Sequence, residues 1–429
     1  MAFLFRRNRQ VLILRGFEAV AHVPFLMNGN MSYADEANRF LRERALLDWH
    51  PNNRHGEPTA KVWIPSENTI FAMGRDLENF LSYVEVNGFQ WREMDYPSIL
   101  RTYQADQLNG SWSERGEPLA PATINRRVGT VCEFLTWAGD RGLRALFQVI
   151  GTRSTVRNRS GHATTNRSHA VVGRAGRVRE RIDRLRIPTV AEIDAWLLEI
   201  EARRGTTRAV ACRAILETGM RLEEVALLRA AQVPDPDTVL PGYPARMDIC
   251  YGTKGARQVG DPEKRGKART LRFGIGFLHV LDDYRRLRRA RALVAFRHSH
   301  PGQKSPEALF LSEDTGLPLT KKMIYDAWTR CERLPFPGWS PHAGRHAFAC
   351  LLLLRLLHEE TERIGHAASS LPRSALIGHA SDLVTTYVRP VLGHVSEQTT
   401  DRYLEWVADH FLVAEHRTAW ARYLEDGHG

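Results

Sequence analysis

Three short phrases in this chain hold side chains that could together open a phosphodiester. Near the C-terminus it reads Leu392-Gly393-His394, with Tyr403 nine residues after the histidine. Upstream it reads Ser340-Pro341-His342-Ala343-Gly344-Arg345-His346, and earlier Thr218-Gly219-Met220-Arg221-Leu222-Glu223-Glu224. Breaking such a bond without metal or nucleotide requires a nucleophile, cations for the non-bridging oxygens, a proton acceptor, and a proton donor for the leaving oxygen. A tyrosine hydroxyl meets the first need. Guanidinium meets the second, because its planar fork binds two phosphate oxygens and never loses its charge. Arg221 and Arg345 each stand near an expected helix start, where backbone N–H groups add positive potential. With Ser340 as cap and Pro341 at the first helical position, His342 and Arg345 fall three apart on one face.

Taken singly, each phrase is ordinary. Arg-x-x-Glu on a helix is usually a surface ion pair, and Leu-Gly-His is a helix end followed by a turn residue. Their conjunction, in this order, resembles the tyrosine recombinase (phage integrase) family. The resemblance makes Arg221 the first arginine of the site, with Glu224 orienting it. It makes His342 and Arg345 the His-x-x-Arg pair, His346 the residue that often follows it, His394 the second histidine and Tyr403 the nucleophile. Lys254, in Tyr251-Gly252-Thr253-Lys254-Gly255, matches the hairpin lysine that the family uses as general acid. The match is weak over 66–148 and strong over 187–410.

The chain departs from the pattern in two places. The family sets Arg345 and His394 closer together than the 49 residues found here, and the surplus contains an echo. Leu376-Ile377-Gly378-His379 is followed eight residues later by Tyr387, without the Glu-Gln-Thr-Thr-Asp-Arg-Tyr phrase that ends at Tyr403. Tyr403 is the expected nucleophile, and Tyr387 is the alternative. A long basic loop follows Lys254, and within or beyond it Lys264 or Lys267 could take the same role.

The elements that must position these groups divide into four stretches. Residues 1–65 have no clean period and read as an N-terminal extension of unknown role. From Ser66, a plausible cap along with Asn68, the residues Ile70, Met73, Leu77, Phe80, Leu81 and Val84 share one helical face. A second helix over about 122–138 turns Ile124, Val128, Val131 and Leu135 inward and Asn125, Arg126 and Arg127 outward. Together these predict a helical DNA-binding domain over 66–148. Arg126 and Arg127 are either DNA contacts or an ordinary solvated face.

Between 151 and 186 ten arginines, among them Arg153, Arg157, Arg159 and Arg167, face only Glu180 and Asp183. That composition cannot bury a core, so 149–186 reads as a linker lying along an anionic partner. Thr189 and Glu192 form a capping box that opens the next domain, 187–429. Within it, 247–251 and 269–273 alternate as paired strands, and the remainder is helical. The fold class expected is mainly α with a small antiparallel β-sheet. The resemblance implies a SAM-like core-binding domain and an integrase-type catalytic domain closing as a C-shaped clamp.

Composition limits the partners. Lys and Arg number 60 against 49 Asp and Glu, a net charge of +11 that suits a polyanion. The five cysteines have no metal-ligand spacing and read as small core hydrophobes, with no metal or cofactor expected. Neither a signal peptide nor a membrane span is evident, since the apolar run 348–357 is broken by Arg355. The expectation is a cytoplasmic, nucleoid-associated bacterial protein. The resemblance implies double-stranded recombination sites as substrate, self-association into a tetramer on synapsed DNA, and room for accessory recombinases or directionality factors. Two rivals remain: a type IB topoisomerase, which shares the chemistry, and a non-catalytic DNA-binding protein on the same fold.

Overall fold

The computed structural model describes residues 1–51, 65–156, 169–180, 184–253, 265–363, 365, 368, 371–393 and 401–411. They belong to two compact units, Met1–Arg159 with Thr164–Ile182, and Ser160–Ala163 with Asp183–Gly429. The architecture is mainly helical, and the described strands form three two-stranded antiparallel sheets.

In the first unit the Glu67–Val86 helix is capped by Ser66, whose side chain accepts from the Thr69 amide. Its stripe Ile70, Met73, Leu77, Phe80 and Val84 is buried as the period predicts. That stripe shares one core with Ile124, Val128, Val131 and Leu135 of the Pro121–Asp140 helix.

The same core takes in Leu26, Phe40, Leu41 and Trp49, so residues 1–51 are part of this unit and not an appendage to it. Strand Phe3–Phe5 pairs with Phe25–Met27, and the Ala2 amide donates to Ser82 Oγ at 2.9 Å. Buried Asn38 clasps Leu26, accepting from its amide at 2.7 Å and donating to its carbonyl at 2.8 Å. The Asp35–Leu46 helix that carries Asn38 buries Ala37, Phe40, Leu41 and Ala45 beside it.

Two further expectations fail here. Residues 151–156 and 169–174 pair as antiparallel strands, so part of the arginine-rich stretch is a hairpin and not a bare linker. The chain beyond it is fastened to the helices. Tyr96 donates to the Ala175 carbonyl, Gln104 to Gly176 at 2.9 Å, and Asn125 to Val178 at 2.8 Å. Asn125 is therefore buried under a returning stretch of chain, where helical period alone had placed it in solvent. Its neighbours also hold internal partners. Arg126 meets both oxygens of Asp76 at 2.6 Å, and Arg127 reaches Asn79 at 3.2 Å and Gln107 at 3.3 Å. Asp76 is 1% exposed, and burial raises its pKa despite the guanidinium beside it.

The second unit opens on the Val190–Arg204 helix with the expected capping box of Thr189 and Glu192. Its core is anchored by Trp196, Trp328 and Trp339, whose ring centroids lie 4.5–5.8 Å apart. Ala245–Tyr251 pairs antiparallel with Arg265–Phe273. A further cluster joins the Pro341–Arg363 helix to residues 373–392 and to Val407 of the 401–411 helix. The stretch 373–392 is one helix with a π-turn over Val384–Val388, and it ends at Gly393. Of the five cysteines, Cys132, Cys212 and Cys350 are buried, whereas Cys250 and Cys331 are only half-buried.

Candidate active site

The site is built from five elements of the second unit. Arg221 is the residue just before the Leu222–Ala226 helix, and its own amide donates to Glu224 Oε2 at 2.7 Å. Its guanidinium donates to Glu224 Oε1 at 2.9 Å. Glu224 is 1% exposed, so the Arg-x-x-Glu pair is internal and not a surface pair. A second guanidinium, that of Arg269 on the Arg265–Phe273 strand, donates to Glu224 Oε2 at 2.6 Å.

Arg345 lies in the second turn of the Pro341–Arg363 helix. Ser340 Oγ accepts from the Ala343 amide at 3.3 Å, giving the cap that the sequence implied. Gly344 sets the helix's seat, because a Cβ there would collide with the Trp328 ring. Arg345 is buried and donates to the carbonyls of Gly219 and Leu392.

One geometric pattern links all three arginines. The consecutive carbonyls of Val391, Leu392 and Gly393 accept from Arg269, Arg345 and Arg221 in turn. The negative end of the 373–392 helix thus grips three guanidiniums that a single carboxylate, Glu224, only partly neutralises. Burial, then Arg221 and Arg269, bring the pKa of Arg345 down to about 9, which leaves it charged at neutral pH. Burial likewise lowers that of Arg269. A cationic pocket of this kind favours a bound anion.

Tyr403 sits in the 401–411 helix, 1% exposed. Its hydroxyl lies 3.0 Å from His346 Nδ1, and His346 Nε2 lies 3.1 Å from His342 Nε2. His346 is buried and His342 exposed, one helical turn apart. Burial, reinforced by His342, Arg402 and Arg345, pushes the His346 pKa down to about 3. Burial pushes that of Tyr403 up, against the pull of Arg345 and Arg402. The echo is built differently. Tyr387 is 50% exposed on the π-turn, and His379 meets Glu360 at 3.4 Å.

Arg221, Glu224, Arg345, His342, His346 and Tyr403 thus converge in one unit. His346 is the imidazole at the tyrosine hydroxyl, and His342, one turn away, touches His346. Lys254, Lys264 and His394 lie outside the described residues, as do Arg157, Arg159 and Arg167. Arg153 falls on the Gly151–Val156 strand. Two described residues lie close to Lys254 and His394 in the sequence. A Cβ on Gly252 would stand 2.8 Å from the Glu223 carbonyl, so the hairpin end abuts the start of the Arg221 helix. Gly393 binds Arg221 directly, at 2.9 Å. Lys267 is exposed on its strand.

Arg269 is the residue sequence reasoning missed. A signal existed: it shares an alternating face with Leu271 and Phe273, both buried, and arginine on an inward face needs a charged partner.

No protein-family model matches the chain, and neither does any curated protein. Solved structures do. The neighbours are recombinases and integrases. One is the XerH site-specific recombinase with palindromic difH substrate, 16% identical over 83% of this chain and 82% of that one, with a TM-score of 0.49. Another is the Tn1549 transposon integrase with transposon right-end DNA, at 14%, 86%, 93% and 0.47 respectively. A third is a lambda integrase dimer on a COC′ core site, at 12%, 85%, 94% and 0.45.

Among the described residues no group of three His, Cys, Asp or Glu side chains could hold a metal ion. No described helix is long and apolar enough to cross a membrane.

Proposed function

We propose that this protein is a tyrosine-type site-specific DNA recombinase that cuts and rejoins strands through a 3′-phosphotyrosyl intermediate. The observation that carries the reading is the placement of Tyr403, whose hydroxyl rests on an imidazole beside a pocket of three guanidiniums, that of Arg345 buried and those of Arg221 and Arg269 partly so. Tyr403 attacks the scissile phosphorus in line, and the P–O5′ bond breaks. Arg221 and Arg345, with His394, hold the non-bridging oxygens as charge builds on them. Lys254 protonates the departing 5′-oxygen, and the imidazole side of the site takes the tyrosine proton. One ester replaces another, so bond energy is conserved and the 5′-hydroxyl of a partner strand reverses the step. The substrate is duplex DNA at a recombination site, with the protein assembled as a tetramer on two synapsed duplexes. The arginines at 126, 127, 153, 157, 159 and 167 supply phosphate contacts, which position without reading sequence.

The test is the covalent adduct. The full-length protein is incubated with duplexes carrying the sequences that flank its gene, quenched in detergent, and run on a denaturing gel. A protein–DNA band that Tyr403→Phe abolishes supports the reading. Binding without an adduct makes the chain a non-catalytic DNA-binding protein. An adduct with relaxation of supercoils but no exchange between two duplexes makes it a topoisomerase.

A further inference from the structure

His346 touches the proposed nucleophile, yet the scheme above gives it no step of its own. Both of its ring nitrogens are engaged, Nδ1 with the Tyr403 hydroxyl at 3.0 Å and Nε2 with His342 Nε2 at 3.1 Å. One tautomer satisfies both contacts as a path out of the site. With the proton on Nε2, Nδ1 accepts from the tyrosine and Nε2–H donates to His342. We propose that His346 is the immediate acceptor of the Tyr403 proton and that it passes a proton onward to His342. The proposal rests on the recombinase reading and names the proton path within it.

The step balances. As the Tyr403 oxygen bonds to phosphorus, its O–H bond breaks and an N–H bond forms at His346 Nδ1. The Nε2–H bond of His346 then breaks, and a new one forms at His342 Nε2. His346 ends as the other neutral tautomer, and the positive charge resides on His342.

The surroundings favour transfer over storage. His346 is buried and faced by Arg345, Arg402 and His342, all of which oppose an imidazolium there. His342 is exposed, so the charge it receives is solvated and the proton can leave. The two rings are one turn apart near the start of a single helix, held there by Gly344 against Trp328, so their spacing is built into the backbone. The contact with His342 and the burial make His346 a poor resting place for a proton, so one taken from Tyr403 is passed on to His342.

Two measurements test this. In the free protein, long-range proton–nitrogen correlations on 15N-histidine-labelled material should show His346 protonated at Nε2 and bare at Nδ1. The opposite tautomer overturns the relay whatever the enzyme does with DNA. In single-turnover adduct formation on the flanking-sequence duplex, the wild type should show a curved proton inventory in mixed light and heavy water, as two protons in flight require. His346→Asn and His342→Gln should each slow the step by roughly 10²–10⁴-fold, with the double variant no worse than the slower single one. A linear inventory, or losses that multiply, would sink the relay while leaving the recombinase reading in place. No adduct from the wild type would instead overturn the recombinase reading itself. The wild-type inventory and the tautomer need no substitution, so misfolding of a variant cannot mask the result.

Discussion

Arg269 donates to Glu224 Oε2 at 2.6 Å, on the carboxylate whose other oxygen holds Arg221 at 2.9 Å. Glu224 therefore ties the β-hairpin to the start of the Arg221 helix, and Arg269 carries the tie on to the Val391 carbonyl. Replacing Arg269 by Met leaves that carbonyl without its donor and Glu224 with a single partner. The cost to stability should be about 1–3 kcal/mol, read from the denaturant midpoint. Because Arg221 loses its brace, adduct formation should slow by roughly 10²-fold while DNA affinity changes little, the mark of misplacement and not of lost binding. Arg269→Lys should recover stability better than rate, since an ammonium cannot span both partners. An unchanged cleavage rate in Arg269→Met would show that the brace has no part in positioning Arg221.

The nucleophile is decided by comparing two phenylalanine variants. Tyr403→Phe removes the hydroxyl at His346 and should abolish the adduct with site binding nearly intact. Tyr387→Phe alters a side chain that is 50% exposed and should leave adduct formation as it was. The reverse pattern would transfer the role to Tyr387 and its partner phrase.

Arg345→Lys keeps a positive charge but cannot donate to the Gly219 and Leu392 carbonyls together while gripping a phosphate. Cleavage should fall severely, by at least roughly 10²-fold, as for loss of one preorganised donor at an oxyanion. Near-normal cleavage would falsify the clamp.

His22 offers a test of stability in the first unit that is independent of catalysis. It is 8% exposed, and neither ring nitrogen has a hydrogen-bond partner. Burial lowers its pKa below 6.5, outweighing nearby Glu67. A folded-state pKa below the unfolded one means that the neutral ring is preferred on folding. The resulting stability is fully present above the unfolded pKa and is lost as pH falls through the folded one. The denaturant midpoint of wild type should therefore drop below pH about 6.5. His22→Leu should flatten that part of the profile and gain stability at pH 5. Parallel profiles for the two proteins would count against this account.

Much of the candidate site was legible in the sequence because its side chains sit at element ends that announce themselves. Ser340 and Pro341 mark the start of a helix, and that start places His342, Arg345 and His346 by turn geometry alone. Thr189 with Glu192, the stripe from Ile70 to Val84, and the paired strands around Met247 and Leu271 were equally local, since each depends on interactions within a few residues or on simple alternation. Tertiary structure decided what lies across long separations. Arg269 meets Glu224 from 45 residues away. The end of the 373–392 helix presents three carbonyls to three arginines, and His346 rather than His342 reaches Tyr403 from 57 residues away. Nothing local encodes such meetings, because hydrogen-bond partners are selected by packing and desolvation after the elements have docked. The same holds for residues 1–51, where Leu26, Phe40, Leu41 and Trp49 become core only against the helices that follow.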